Sequence, residues 1–236
     1  MGDDQQTLPL YEKVRRDILE GIESGKYAIG SFLPTEPELM ALHGVSRITL
    51  RRAISELCED GRLERQQGRG TVVMPPKVRQ TLVSLSGFSE TMDGLGHKAG
   101  HVILARHDRP DAPVIRQDLG AQALICFERL LQDNGRPMTL EKLWFDAARF
   151  PDVIEPVGRG ESFFTALREK AGIVPAHAER QIDVGFASPS ERLILGISAA
   201  QPVYRIKKIV MDAESRPLAL SHLITPSHLV TYTIRT

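Results

Sequence analysis

Residues 44–53 read Gly-Val-Ser-Arg-Ile-Thr-Leu-Arg-Arg-Ala, and this pattern predicts the start of an amphipathic helix. Ser46 is a residue type that caps helix amino termini. Arg47 and Arg51 lie four residues apart, so they share one exposed side of the predicted helix near its start. The opposite, buried side is predicted from apolar residues at helical spacing, namely Leu50, Ala53, Ile54 and Leu57.

Two further helices are predicted upstream of this segment. Thr35 followed by Glu38 forms a capping box, which predicts a short helix over residues 36–43 that ends at Gly44. The earlier helix ends at about Gly25. The residues expected to face inward are Leu10, Val14, Ile18 and Ile22 from the first helix, and Leu39 and Leu42 from the second.

A short hairpin and a proline-rich connection are predicted downstream. Residues 63–67 and 71–74 have the character of two strands, and Gly68-Arg69-Gly70 joins them as a flexible tip. Pro75-Pro76 then interrupts regular structure. We therefore predict a first domain over residues 1–74, a linker over 75–80 and a second domain over 81–236.

The second domain is predicted to be α+β with a mainly antiparallel sheet. Residues 124–131 and 138–145 form a strand pair around Asn134-Gly135, a strong hairpin signal. Residues 203–211 and 218–224 form another, and residues 230–234 a final strand. Ser162 and Ser188 are predicted to begin two helices. Hairpins dominate this pattern, which favours an antiparallel sheet over parallel βαβ units.

The order of the first elements predicts a winged helix-turn-helix that binds DNA. In such a unit the second helix of the pair enters the major groove, where arginine bonds guanine bidentately. Ser46 and Thr49 at the start of that helix suit phosphate oxygens. The chain contains 30 basic and 30 acidic residues, so the prediction depends on local arrangement and not on net charge. A helix with three arginines is, by itself, more often just a solvated surface.

The motifs also resemble those of the GntR family of bacterial regulators. The similarity is carried by residues 33–36 (Leu-Pro-Thr-Glu), residues 44–53, and residues 65–71 (Arg-Gln-Gln-Gly-Arg-Gly-Thr). It implies a homodimer that binds double-stranded operator DNA. One departure is Pro37, which stands where many members have a DNA-contacting arginine. The predicted DNA-binding residues are Thr35, Ser46, Arg47, Thr49, Arg51, Arg52, Gln67, Gly68, Arg69 and Gly70.

Beyond the linker the chain resembles the HutC subfamily, whose members carry a ligand-binding UTRA domain. The similarity rests on residues 88–90, 129–141, 162–164, 178–179 and 216–221. It implies a chorismate-lyase-like antiparallel sheet with flanking helices, dimerisation, and a small anionic metabolite that releases the operator. Ser89 and Ser162 match family positions that bond ligand oxygens, although both could equally be helix caps or loop serines.

Arg129 is the charged residue from which the effector pocket is predicted. Strand alternation places it on one face with Ile125, Phe127 and Leu131, where an unpaired charge is very costly. Glu141 on the paired strand is either its structural ion-pair partner or, beside Arg129, a second ligand contact; family analogy favours the ligand role. The predicted effector-binding residues are Phe88, Ser89, Arg129, Glu141, Ser162, Phe164, Tyr204 and His222, with Arg180 as a further candidate.

Three departures from the family pattern bear on the ligand. Leu131, Ala219 and Thr225 stand where members that bind amino-sugar phosphates tend to have arginine, glutamate and tyrosine. Smaller or apolar groups thus replace three polar partners. We expect a smaller or more apolar anion than an N-acetylglucosamine phosphate.

Other classes of protein fit the sequence less well. No nucleophile–base pair, metal cluster or cofactor motif is evident, so we expect no enzyme, metal or cofactor, although a lyase-like enzyme fused to a DNA-binding head is an alternative. The short basic patch argues against a structural DNA-coating protein. The first seven residues lack signal-peptide character and no 18-residue apolar run occurs, so we expect a cytoplasmic protein with two buried thiols, Cys58 and Cys126.

Overall fold

The computed structural model describes residues 8–75, 77–81 and 87–233, and these form parts of two compact units, residues 1–78 and 79–236. Pro76 of the predicted linker and Ile234 of the predicted last strand lie outside the described residues. The described part of the chain has no helix that is both long and apolar enough to cross a membrane.

The first unit is a three-helix head followed by a two-stranded hairpin. Thr35 and Glu38 form the expected capping box, in which the Thr35 N–H donates to Glu38 Oε2 at 2.8 Å. Gly44 ends the second helix with φ 63°, a conformation that favours glycine. The elements are α1 (Leu10–Glu23), α2 (Glu36–His43), α3 (Arg47–Glu59), β1 (Leu63–Gln66) and β2 (Gly70–Val73).

The core of this unit follows the predicted periodicity with two exceptions. Its fully buried residues include Val14, Ile18, Leu39, Leu50, Ala53, Ile54 and Leu57. Leu10 and Leu42 were predicted to face inward, but they are 62% and 59% exposed. Tyr27 and Leu33 from the connection between α1 and α2 complete the core instead. Irregular segments that fold back onto a core carry no periodic signal.

The second unit contains the remaining elements. They are β3 (Val78–Thr81), α4 (Phe88–Gly94), β4 (Ala99–Asp108), α5 (Pro113–Leu119), β5 (Leu124–Asp133), β6 (Arg136–Asp146), a 3-10 turn (Pro151–Val153), α6 (Ile154–Gly158), α7 (Phe163–Ala171), β7 (His177–Phe186), α8 (Pro189–Leu195), β8 (Pro202–Met211), β9 (Pro217–Pro226) and β10 (Val230–Thr233).

Six of these strands form one antiparallel sheet in the order β4-β5-β6-β9-β8-β7, while β3 and β10 form a separate pair. The hairpin between β5 and β6 turns at Asn134 and Gly135, with φ values of 49° and 81°. Positive φ at both positions is the requirement of a type I′ turn, and the hairpin that the sequence predicted turns there. The α+β fold with an antiparallel sheet and flanking helices is confirmed.

Helices cover the two faces of the sheet differently. The first face packs against α6 and α7 through a core that includes Ile125, Phe127, Leu143, Phe145 and Phe163. The second face packs Cys126, Trp144 and Leu220 against Leu119 of α5. Because side chains alternate along a strand, Arg129 and Glu141 lie on the first face, beyond the part that α6 and α7 cover.

Candidate functional site

The exposed side of α3 presents the predicted recognition arginines. Side chains of Arg47 and Arg51 are 63% and 55% exposed, and both lie outside the buried stripe of α3, on the side next to Glu36 of α2. Ser46 caps the helix and its Oγ accepts the Thr49 N–H at 3.2 Å. Ile48, 84% exposed, lies between the arginines in sequence and adds an apolar surface of the kind that contacts thymine methyl groups.

A carboxylate that the sequence did not predict links the two arginines. Glu36, the first residue of α2, accepts a hydrogen bond from Arg47 Nε at 3.0 Å and another from Arg51 Nε at 2.9 Å. The hydrogen bond from Arg51, together with that from Arg47, holds the pKa of Glu36 below its usual value. Glu36 is therefore a carboxylate within the predicted DNA-binding surface.

The tip of the hairpin is exposed, as expected of a wing. Gln67, Gly68, Arg69 and Gly70 are all on the surface. Gly68 and Gly70 have φ values of 74° and 124°, which favour glycine. The Arg69 guanidinium lies 5.6 Å from the centre of the Phe32 ring, which orients it by a cation–π contact.

Two members of the predicted DNA-binding set have evident structural roles. The Arg52 guanidinium stacks 3.6 Å above the Tyr11 ring, and Arg52 Nε also lies 3.4 Å from Glu56 Oε1. Arg52 is thus held against α1, although 61% of its side chain remains exposed. Thr35 is exposed and its hydroxyl donates to Glu38 Oε2 at 2.7 Å within the capping box.

The second unit contains a cavity of about 340 Å³ on the first face of the sheet, between α4 and the start of α7. Its walls combine aromatic and aliphatic side chains with charged groups. The apolar lining includes Phe88, Leu95, Leu131, Phe163, Phe164, Ile206 and Leu223, and the polar lining includes Glu90, Thr91, His101, Arg129, Thr139, Glu141, Ser162, Arg180, Lys208, Thr225 and Tyr232.

Arg129 and Glu141 form a buried ion pair at the floor of this cavity. They are direct cross-strand neighbours, both 4% exposed, and Arg129 Nε donates to Glu141 Oε2 at 3.0 Å while Nη2 bonds the same oxygen. Burial alone would raise the pKa of Glu141, but Arg129 and Lys208 hold it below its usual value, helped by a Ser221 hydrogen bond. Glu141 is therefore ionised.

Two more cations give the cavity a positive excess. Lys208 lies partly buried with Nζ 4.9 Å from the centre of the Phe164 ring, and burial lowers its pKa to about 8 despite the attraction of Glu141. Arg180 lines the same wall on β7. Glu90 at the rim is paired with Arg168, which does not line the cavity. Three lining cations thus face one buried carboxylate, an arrangement suited to an anion.

His101 connects Arg129 to α4. Its Nδ1 lies 3.5 Å from Arg129 Nη1, and its Nε2 lies 3.0 Å from the Ser89 hydroxyl. Burial, reinforced by the positive charge of Arg129, lowers the pKa of His101 to about 4. The ring is therefore neutral near pH 7 and serves as a hydrogen-bonding wall.

The structure brings together most of the predicted effector residues. Phe88, Arg129, Glu141, Ser162 and Phe164 line the cavity, as does Arg180. Ser162 occupies the amino-terminal cap position of α7 without a side-chain capping bond, so its hydroxyl is not used for that purpose. Ser89 is not among the lining residues, but its hydroxyl lies 3.0 Å from Nε2 of His101, which does line the cavity.

Two predicted effector residues lie elsewhere. Tyr204 is outside the lining and packs against Tyr232 with ring centres 5.2 Å apart. His222 is on the second face of the sheet, 4.9 Å from the Trp144 ring, because Leu223 pairs with Glu141 and the alternation turns His222 away. Of the three departures from the family pattern, Leu131 and Thr225 line the cavity, whereas Ala219 is in the core.

Sequence reasoning did not identify His101, Lys208 or Tyr232 as cavity residues. Lys208 had a usable signal, since it alternates with Ile206 and Val210 and so places a charge on an apolar strand face, as Arg129 does. His101 and Tyr232 had none, because β4 and β10 reach the cavity through pairings distant in sequence.

Comparison with known proteins agrees with this architecture. Residues 10–73 match the profile of the bacterial regulatory proteins of the gntR family, and residues 94–230 match that of the UTRA domain. The uncharacterized HTH-type transcriptional regulator YurK of Bacillus subtilis is 31% identical over 99% of this chain and 98% of its own. The probable fructoselysine utilization operon transcriptional repressor of Escherichia coli is 32% identical over 95% of this chain and 93% of its own.

A solved structure extends the likeness to three dimensions. The crystal structure of PhnF from Mycobacterium smegmatis covers 97% of this chain and 99% of its own, with 27% identity and a TM-score of 0.65. These relatives are transcriptional regulators and not enzymes. The chain therefore belongs, as its motifs predicted, to the GntR family, in the HutC-like branch that joins a helix-turn-helix to a UTRA domain, and it is a DNA-binding transcriptional regulator.

Proposed function

We propose that the protein is a homodimeric repressor, acting in the cytoplasm, that leaves its operator when a small anionic metabolite binds the cavity. The observation that carries the proposal is the cavity itself, where Arg129, Arg180 and Lys208 face one buried carboxylate, Glu141. Opposite charges attract more strongly in a partly buried site of this kind than in bulk water, so the cavity favours a bound anion. The repressor names of relatives support the sign of regulation.

The effector is proposed to be a compact anion with an apolar portion. The part of the cavity wall formed by Leu131 and Thr225 has no long polar side chain from these two positions. Phe88, Phe163 and Phe164 add aromatic surface to the cavity. The Arg129–Glu141 pair is a structural element that can also contact the ligand, because both residues line the cavity. A ligand group that donates hydrogen bonds would bond Glu141, and the anionic group would approach Arg180 and Lys208.

The operator is proposed to contact Arg47, Arg51 and the start of α3 in the major groove, with Arg69 at the adjacent backbone or minor groove. Two heads of a homodimer would bind half-sites about 34–36 Å apart, one turn of DNA. If the two heads can no longer contact both half-sites at once, the affinity for the operator falls by far more than a factor of two, because the second head no longer binds at a high effective concentration.

Effector binding is proposed to act through α4 and the connection to the head. Phe88, Thr91 and Leu95 line the cavity from α4 and the turn after it. In sequence, α4 follows residues 75–87, which connect it to the wing. A ligand that changes the conformation of α4 would favour one arrangement of the two heads over the other. The size of this shift in population is set by the difference between the ligand's affinities for the two arrangements.

The test is to select an operator from random duplexes and then screen anionic metabolites for its release. A ligand at 100 times its dissociation constant should raise the free energy of unfolding by about 2.7 kcal/mol, which a thermal-shift screen detects. Each hit should lower operator affinity, whereas its uncharged analogue should not. Sedimentation should give a dimer. Neutral compounds that release the operator as well as their anionic counterparts would contradict the proposed cavity chemistry.

A further inference from the structure

The carboxylate of Glu36 lies between the two arginines of the proposed DNA-reading surface. Both contacts are made by Nε atoms, at 3.0 Å for Arg47 and 2.9 Å for Arg51, and the second Glu36–Arg51 contact of 3.1 Å is also to Nε. These bonds occupy the inner edge of each guanidinium. The terminal Nη groups, which supply the parallel pair of donors that guanine accepts, remain at the outer end of the side chain.

The backbone of Glu36 is unusually well fixed for a surface residue. It is the first residue of α2, directly after Thr35 of the capping box and directly before Pro37. The capping box bonds both Thr35 and Glu38, and proline restricts φ at the second helical position. Only 28% of the Glu36 side chain is exposed. This carboxylate can therefore act as a fixed anchor for the longer, more mobile arginines.

Such an anchor has opposite effects on specific and non-specific DNA binding. An arginine side chain loses rotamer entropy when it is immobilised, and an anchor in the free protein reduces what remains to be lost at the base edge. The negative charge at the same place weakens attraction to phosphates, which drives binding to any sequence. Both effects raise the ratio of operator to random-DNA affinity.

We infer that Glu36 is a positioning residue that sets sequence specificity by aligning Arg47 and Arg51. It acts through the arginines and need not contact DNA. The inference rests on the proposed role of those arginines in operator recognition. It also fits a chain whose net charge is zero, since such a protein gains little from general attraction to DNA.

The test compares operator and random-sequence duplexes in fluorescence anisotropy titrations of the full-length protein at one fixed salt concentration. Glu36→Gln should lower the affinity ratio about ten-fold, or about 1.4 kcal/mol, with random-DNA affinity unchanged or higher. Glu36→Asp keeps the charge but withdraws the carboxylate by one methylene, so it should lower the ratio without raising random-DNA affinity. Glu59→Gln removes an exposed charge at the far end of α3 and should leave the ratio unchanged.

The same titrations separate this inference from the proposed function. Arg47→Ala and Arg51→Ala should each lose operator preference; if they keep it, the recognition surface itself is misassigned. If they lose it while Glu36→Gln and Glu36→Asp keep the parental ratio, Glu36 has no positioning role. A parallel fall in both affinities would likewise overturn the inference, because that is the result of a purely structural defect in α2.

Discussion

Removing Arg129 alone should destabilise the effector unit strongly, and the structure gives the magnitude. Arg129→Met leaves Glu141, 4% exposed, without its principal hydrogen-bond donor. Breaking one side of a buried ion pair costs about 3–5 kcal/mol of folding free energy. Because Lys208 and Ser221 also stabilise the Glu141 carboxylate, we expect a loss near the lower end, about 3 kcal/mol.

Removing both charges should reverse most of that loss. Replacing a buried ion pair by apolar residues of similar volume is often neutral or stabilising. The double variant Arg129→Met with Glu141→Leu should therefore be within about 1 kcal/mol of the parent, a coupling of at least 2 kcal/mol between the two positions. It should nevertheless have lost its response to the effector. The double variant would thus keep the stability of the parent while losing the effector response.

Urea unfolding monitored by tryptophan fluorescence is the assay. Trp144 is the only tryptophan in the sequence, and it is buried on the second face of the sheet, away from the cavity, so it reports unfolding of this unit. Arg159→Met is the matched control, since its partner Glu155 is 80% exposed and an exposed pair contributes at most about 1 kcal/mol. An Arg129→Met protein as stable as the Arg159→Met protein would refute the reasoning.

Two other consequences concern stability. Gly21→Ala in α1 should destabilise the head by about 1–3 kcal/mol in chemical unfolding followed by circular dichroism, because the added Cβ would lie 2.6 Å from the Tyr27 ring; a stabilised variant, normal for glycine in a helix, would contradict this packing. His101 has a pKa of about 4 when folded, below its unfolded value of 6.5. The stability that depends on a neutral His101 ring should therefore be complete above pH 6.5, and the free energy of unfolding should fall by about 1.4 kcal/mol per pH unit as the pH decreases toward 4. His101→Asn should flatten that dependence in parallel urea titrations, and an unchanged slope would show that His101 ionises freely.

Local signals in the sequence were sufficient wherever a short segment determines its own conformation. The capping residues Thr35, Ser46 and Ser188 begin helices as predicted, because the bonds that satisfy a helix start lie within three residues. The turn at Asn134 and Gly135 joins β5 to β6 as predicted, but a β-bulge between Leu131 and Gln132 shifts the register by one residue, and the pairing of Arg129 with Glu141 depends on this bulge. These two kinds of signal account for the helix starts and for the existence of the hairpin that carries Arg129 and Glu141.

The rest of the cavity depends on pairings between strands that are distant in sequence. The register of β6 with β9 turns His222 to the second face, and no local pattern revealed that parity. Strands β4 and β7 are the two edges of the sheet, and each is hydrogen-bonded to a single neighbouring strand. Edge strands mix polar and apolar residues, and for this reason the sequence pattern predicted neither of them. His101 and Arg180 reach the cavity from these two strands.

The central claim is that the exposed guanidinium groups of Arg47 and Arg51 confer operator preference. The most direct measurement is the operator-to-random affinity ratio of the double variant Arg47→Ala with Arg51→Ala, at constant salt and with helicity verified by circular dichroism. We expect the ratio to fall to about one, since each good bidentate contact discriminates by about 1–3 kcal/mol. A folded double variant that retained the parental ratio would contradict the account.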